Sequence, residues 1–430
     1  MHKLKIVLVN KYLYPRGGDC LYTLRLMDLL IRHGHEVIPF GMHHPENIET
    51  KYSKYFVPYI DFREELKKYR LKNAINVLSR AIVNKDANRL LEQLIEDVRP
   101  DIIHLNNIHH QLTPGILQVP YKYSIPVVWT LHDCILNCPD SIFLRHGKVC
   151  TKCANGNNLH AIIHRCKKGS LGASLIAALE STYYHQRKLA GLVKMFITPS
   201  RFLADILIKH GLPESQVTSI ANFIPVPEVV SLDDSYFLYF GRLSVEKGVD
   251  TLIKAFAGIK NGQLVIAGDG PYRTELEKLA GYYPEANVKF IGHQTPDKIA
   301  ELIAGCKASI VPSICLENFP FSVMETMAAG KPVIASNTGG IPEQVEHGRT
   351  GLIFTPGNVD ELAMCMQKLL DDKQLASAMG KQGYIKANTQ YNAETHYTNI
   401  MKVYAKMIDK NINTLDNSGR KGNVPVAINN

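Results

Sequence analysis

The sequence predicts an α/β protein built from two parallel-sheet domains that face each other across a cleft. Three observations carry that reading. Short apolar, β-rich runs alternate with helical stretches, the pattern of a parallel sheet covered on both faces. The alternation stops at "NFIPVPEVVSLDDS" (222–235), where two prolines and a polar run mark a linker, and then begins again. The chain has 430 residues, a length for which two domains are the default.

The elements follow in order. "KIVLVN" (5–10) reads as a first strand, the amphipathic "LYTLRLMDLLIRHG" (21–34) as a helix and "HEVIPF" (35–40) as a second strand. "DIIHLNN" (101–107), "IPVVWTLHD" (125–133) and "MFITPS" (195–200) are buried strands with polar ends, and "RFLADILIKHG" (201–211) is a helix. After the linker, six strands are expected: "YFLYFGR" (236–242), "QLVIAGDG" (263–270), "VKFIGH" (288–293), "ASIVPS" (308–313), "PVIAS" (332–336) and "GLIFT" (351–355). "NINTLDNSGRKGNVPVAINN" (411–430) lacks periodicity and is expected to be disordered.

Composition narrows the function. Hydrophobic residues make up 45% and charged residues 21%, ordinary for a soluble globular chain. No apolar run approaches a membrane span, and the N-terminus reads as a strand rather than a signal peptide, so a cytoplasmic protein is expected. Residues 1–228 hold 29 Lys/Arg against 19 Asp/Glu, a net +10, whereas residues 229–430 hold 20 against 21, a net −1. The basic excess is either a plain solvated surface or a means of meeting an anionic partner such as a membrane surface. No basic run interleaved with aromatics points to nucleic acid.

Ligands of open parallel sheets bind beyond the carboxyl ends of the strands. Gly17 and Gly18 lie between the first strand and its helix, where a plain tight turn or close approach to a phosphate would each use glycine. Arg242 and Lys247 follow the strand "YFLYFGR" in "GRLSVEKG". An Arg fork and a Lys point charge five residues apart suit a diphosphate, as against a salt-bridged surface loop. Gly268 belongs to the Gly-rich loop "VIAGDGP", weak evidence alone. Glu317 lies in the loop after "ASIVPS", and Glu325 one turn into a helix expected from near Pro320 to Gly330. Two carboxylates in this apolar setting could meet the hydroxyls of one ligand, with backbone N–H groups of Asn318, Phe319 and Phe321 beside its phosphate. On the residues alone, Glu325 could equally cap or salt-bridge within the fold.

"GRLSVEKG", "LVIAGDGP", "FIGH", the E-x7-E from Glu317 to Glu325 and "AAGKPVIASNTGGIPEQVEHGRTGLIF" together resemble the retaining glycosyltransferases of family 4 (glycosyl transferases group 1). "GGD", "DIIHLNN" and "LHD" in the first half agree more loosely. The resemblance implies the GT-B fold, two Rossmann-like domains around a cleft. It implies a nucleotide diphosphate sugar as donor and a glycan or lipid-linked acceptor, as in surface polysaccharide synthesis. Arg242 and Lys247 would neutralise the diphosphate, Glu325 would meet the ribose and Glu317 the transferred sugar. Asn318 and Phe319 would complete that pocket, Gly18 would lie beside the phosphates, and His132 would touch the sugar near the reacting carbon. One departure is the first loop: Gly-Gly-Asp-Cys stands where the family often carries a glutamate, which leaves Asp19 without an assigned role. No Asp-x-Asp motif offers a donor metal, so no catalytic metal is expected. The competing readings are a nucleotide-sugar epimerase of the same fold, a non-catalytic nucleotide-sugar binder and a zinc-knuckle nucleic-acid binder.

The expected domains are 1–228 for the acceptor, 229–390 for the donor, and a C-terminal helix at 391–410 returning to the first domain. Five of the nine cysteines fall between Cys134 and Cys166. Cys138, Cys150, Cys153 and Cys166 are the four thiols that could hold a tetrahedral structural zinc, a set also found in a subset of similar glycosyltransferases. The alternative is reduced, unligated cysteines.

Overall fold

The computed structural model describes residues 3–59, 83–225, 236–260 and 262–418. The expected boundary at 228/229 and the end of the tail, 419–430, lie outside the described residues.

The first sheet contains β1 (Lys5–Val9), β2 (Glu36–Phe40), β3 (Ile102–Leu105) and β4 (Val127–Thr130). A small antiparallel hairpin, β5 (Leu144–Arg145) and β6 (Lys148–Val149), stands apart from it. The sheet is completed by β7 (Met195–Thr198) and β8 (Val217–Ser219), in the order β2-β1-β3-β4-β7-β8 with every pairing parallel. The second sheet contains β9 (Tyr236–Phe240), β10 (Leu264–Ala267), β11 (Val288–Gly292), β12 (Cys306–Val311), β13 (Val333–Ser336) and β14 (Gly351–Phe354). Its order is β11-β10-β9-β12-β13-β14, also all parallel. That is the doubly wound order of a Rossmann sheet. The central strands are buried on both faces, which is why they read as continuous apolar runs rather than alternating ones.

In each sheet the strand order reverses once, between β1 and β3 in the first and between β9 and β12 in the second. Connections leave in opposite directions there and open a crevice at the strand ends. The helices that accompany the two sheets include α1 (Gly18–Arg32), α2 (Leu159–Ile163), α3 (Leu171–Tyr183), α4 (Arg201–Lys209), α5 (Val249–Phe256), α6 (Phe321–Ala328) and α7 (Ala393–Ser418).

Three details differ from the sequence reading. Helix α1 starts at Gly18, three residues earlier than its apolar periodicity shows, because its first turn opens on a glycine and an acidic residue that add nothing to that periodicity. Strand β8 was not anticipated: it is three residues long and partly exposed. The segment from 411, expected to be disordered, continues α7 to Ser418. A helix already nucleated by packed turns extends at the cost of one residue per added bond. Those packed turns are Ile400, Met401, Tyr404 and Met407, which lie in one core with Ile6, Leu8, Leu26 and Val128 of the first domain. The buried His104 of β3 is bonded to Tyr404 Oη at 2.6 Å and to Thr130 Oγ1 at 2.7 Å. Burial, with His132 and His396 nearby, pushes it down to about 3, so it stays neutral.

Candidate active site

The carboxyl end of β9 leads through Gly241 and Arg242 to Lys247 and then into α5. Arg242 is exposed, and its guanidinium has no hydrogen-bond or ion-pair partner among the described residues. Lys247 Nζ donates to Glu317 Oε1 at 2.6 Å, and Ser313 Oγ donates to the same oxygen at 2.6 Å. Burial alone would raise the Glu317 carboxyl; the Lys247 ammonium and these hydrogen bonds outweigh it and hold it below the usual glutamate range. Lys247 is likewise held above the usual lysine range: burial opposes its charge, but Glu317 prevails. The loops are tied together, because Ile314 N donates to Glu246 O at 3.0 Å. Gly268 has φ +150°, and a Cβ there would stand 1.9 Å from Gly241 O. Its role is thus to let the β10 loop lie against the Arg242 loop.

Glu325 lies in the second turn of α6 and meets Arg25 of α1, from the other domain, at 3.4 Å. Burial holds the Glu325 carboxyl above its usual range despite that cation. Arg25 keeps Nη1 buried without a partner among the described residues, and its guanidinium lies 5.3 Å from the Phe321 ring centroid. A Cβ on Gly18 would stand 3.3 Å from Phe321 Cδ2, so the N-termini of α1 and α6 meet across the cleft. Both aim partial positive charge at the same space. Gly17 caps α1, and Asp19 accepts from Asn107 Nδ2 at 2.7 Å, tying the first loop to the one after β3.

Asn318 and Phe319 behave differently from each other. The Asn318 side chain bridges the domains, accepting from Ser200 Oγ at 2.5 Å and donating to Leu131 O at 3.3 Å. Phe319 packs edge-on against Tyr391 in the second domain's core. Their backbone N–H groups have no partner among the described residues, which leaves two donors beside the start of α6. His132 is half-buried after β4, its Nε2 3.0 Å from Asn106 Oδ1 and its ring edge-on to Tyr22. Burial holds it below the usual histidine range against Asp19 and Asp133, so it is neutral near pH 7. The hairpin tip at Gly147 and Val149 reaches the second domain, where with Asp250, Ile314 and Gly339 it walls a cavity of about 410 Å³.

The structure thus brings Gly18 and Arg25 of the first domain against Phe321 and Glu325 of the second, and joins Lys247 to Glu317 within the second domain. Sequence reasoning missed what supports them. Gly339 has φ +60°, and a Cβ there would stand 1.9 Å from Glu317 O, while Gly340 N donates to that carbonyl at 2.7 Å. Thr338 Oγ1 donates to Cys315 O at 2.9 Å. The available signal was "NTGG" directly after a strand. Glu343 also crosses the domains, accepting from Arg201 N and Phe202 N at the start of α4.

Cys138, Cys150, Cys153 and Cys166 gather in one neighbourhood. Burial pushes the Cys153 thiol up to about 11, and the other three thiols add to that. Among the described residues, however, no three ligand-type side chains stand in a geometry that would hold an ion. Cys134 is buried beside them.

Comparison with known proteins bears on this arrangement. The family model for Glycosyltransferase Family 4 matches residues 17–227, and that for Glycosyl transferases group 1 matches residues 223–386. The chain is 26% identical over 292 residues to Sulfoquinovosyl transferase SQD2 of Arabidopsis thaliana, covering 66% of this chain and 52% of that one. It spans about half of that relative's length, and 41% and 37% of two other curated relatives. Sucrose-phosphate synthase of Thermosynechococcus elongatus has the same fold, with a TM-score of 0.70 at 20% identity over 95% of this chain and 100% of that one. So does Anabaena HepE, solved with UDP-glucose, with a TM-score of 0.65 at 19% identity over 94% and 100%. The two facing Rossmann-like domains are therefore a GT-B fold.

Proposed function

Since this chain belongs to the family 4, group 1 glycosyltransferases, we propose that it moves a sugar from a nucleotide diphosphate sugar to a glycan or lipid-linked acceptor, with retention of anomeric configuration. The observation that carries the reading is the Lys247–Glu317 pair at 2.6 Å beside the unpartnered Arg242, at the reversal point of the second sheet. The fold's resemblance to a structure holding UDP-glucose supports the same donor class.

Breaking the bond between sugar and phosphate leaves an anion, so the site must stabilise negative charge where it develops. Arg242 offers a planar fork for the diphosphate, and Lys247 shares its charge between the leaving group and Glu317. The facing N-termini of α1 and α6 add backbone donors. Glu317 accepts from hydroxyls of the sugar and Glu325 from those of the ribose, once donor displaces Arg25. His132, neutral and bonded to Asn106, borders the reacting carbon without adding charge that would repel oxocarbenium character. The departing phosphate takes the acceptor's proton on the same face, so no side-chain nucleophile is needed. The basic first domain holds the acceptor at the cytoplasmic face of an anionic membrane, within surface polysaccharide synthesis. No helix among the described residues is long and apolar enough to cross that membrane.

Calorimetry against a panel of nucleotide sugars should show one binding, with release of its nucleoside diphosphate on adding acceptor. The product's anomeric configuration, read by NMR, should match the donor's. No binding by any donor, or inversion, would overturn the reading. The thiol cluster is assigned a structural zinc in the same proposal, because four thiols of one segment lie in one neighbourhood, from which binding would draw them into coordinating geometry. About one zinc per chain is expected from metal analysis, falling to none in Cys150→Ser/Cys153→Ser; zinc-free wild type would remove the assignment.

A further inference from the structure

Helix α3 is built inside out for a water-soluble protein. Leu171, Leu175, Leu179 and Tyr183 recur every four residues and so form one stripe. That stripe is in solvent, with exposures of 53%, 41%, 37% and 51%. The face turned to the protein carries small residues instead, Ser174, Ala177 and Ala178, together with Glu180. The neighbouring α2 does the same with Leu159 and Ile163, exposed by 64% and 69%. Single exposed leucines need no explanation, but a stripe continued on a packed neighbour does.

Charge around the stripe is one-sided. Residues 141–194 hold nine Lys/Arg and one carboxylate, a net +8 (9 − 1), where the whole chain is +9. The carboxylate is Glu180, and it is buried, paired with His109 at 3.1 Å and with His110. No anion of this segment therefore reaches the surface. Lys152, Arg165, Lys168 and Lys188 are exposed, and Lys188 Nζ lies 5.3 Å from the Tyr183 ring centroid. A second copy of the chain would bring the same charge to the contact, and the repulsion disfavours it. An apolar stripe fringed by cations fits the boundary between lipid headgroups and acyl chains.

We propose that the α2–α3 hairpin is the face on which this protein docks to an anionic lipid bilayer. This rests on the membrane contact proposed above and gives it a place. The Glu180 pairs fix α3 to the loop after β3, so docking would set the first domain's strand ends beside the lipid surface.

The test is flotation of the full chain with vesicles of phosphatidylcholine, with and without phosphatidylglycerol. Wild type should float with the anionic vesicles at low salt and be released by salt. Leu171→Ser/Leu175→Ser/Leu179→Ser should lower partitioning by about tenfold or more, since each change removes apolar surface from the contact. Arg165→Gln/Lys168→Gln should lower it by about fivefold per charge at low salt and flatten the salt dependence. An unchanged thermal midpoint shows that each variant is folded. The proposal is overturned if wild type stays in solution with anionic vesicles, if the leucine variant floats as well as wild type, or if the stripe instead holds a dimer that the leucine variant dissolves. Nucleoside diphosphate release with a water-soluble acceptor should be unchanged in the leucine variant. Release without flotation sinks the surface alone; flotation without release from any donor sinks the transferase reading alone.

Discussion

At the scale of residues, the site is a set of charges whose partners are replaceable. Glu317 keeps 13% of its side chain exposed and Lys247 31%, and they neutralise each other across 70 residues of chain. Removing Lys247 leaves a largely buried carboxylate unpaired, which costs about 3 kcal/mol, the lower end for such a pair because Lys247 is partly hydrated. Lys247→Ala should therefore lower stability to urea by that amount at pH 8 and turnover by about 10²–10³-fold. Adding Glu317→Gln should recover most of the stability and none of the turnover. The sign with pH follows from the depressed Glu317 carboxyl. Its contribution is present above the ordinary glutamate value of 4.5 and is lost as pH falls through the folded value, so wild type and Lys247→Ala should converge in acid. Glu325 has the opposite sign. Its carboxyl is raised, so its ionisation works against the fold as pH rises through the folded value. Glu325→Gln, which keeps an acceptor for Arg25, should gain stability relative to wild type between pH 5 and pH 8 while weakening donor binding. A thermal-midpoint series against pH reads the first effect and calorimetry the second; a difference that shrinks toward pH 8 would contradict the assignment.

At the scale of elements, the loop from β12 to α6 is shaped by a neighbour rather than by its own sequence. The turn after β13 places Gly339 where a side chain would strike Glu317 O. Gly339→Ala meets both that contact and a positive φ, so the Glu317 loop must move. Displacement on the order of 1 Å suffices to cost about 10²-fold in turnover, and kcat/KM should show it while far-UV circular dichroism stays native. Wild-type activity in Gly339→Ala would mean the loop holds itself. This dependence explains what the sequence disclosed. The central strands were legible because burial on both faces makes them continuous apolar runs. Glu317, Arg242 and Lys247 could be placed beside the crevice because they follow strand ends, whereas the residues alone left Glu325 open between a ligand contact and a salt bridge. The Lys247–Glu317 contact, the Arg25 partner of Glu325 and the Gly339 buttress were not, because each joins segments whose approach is set by sheet order. Helix α3 shows the same limit: spacing reveals a stripe, but not which side of it meets the protein.

At the scale of the whole molecule, the two domains are joined by more than a linker. Asn318 bonded to Ser200, Glu343 capping α4 and Glu325 paired with Arg25 cross the cleft on the donor side. On the far side, α7 follows the second domain's last helix yet buries Ile400, Met401, Tyr404 and Met407 against the first sheet. The first domain is therefore incomplete until the last described residues are in place. Each of those side chains contributes about 1.5–3 kcal/mol by leaving water. Four of them reach roughly 6–12 kcal/mol, comparable to the whole stability of a typical domain of about 5–15 kcal/mol. Removing them also strips His104 of its Tyr404 partner inside an apolar face. A chain ending at Gln390 should consequently lose the cooperative unfolding of its first domain and aggregate, although every strand of both sheets is still present. Calorimetry should show at most the second domain's transition, and ring-current-shifted methyl signals of the first core should vanish. A soluble Gln390-terminated chain with two native transitions would mean that α7 rests on the first domain without completing it.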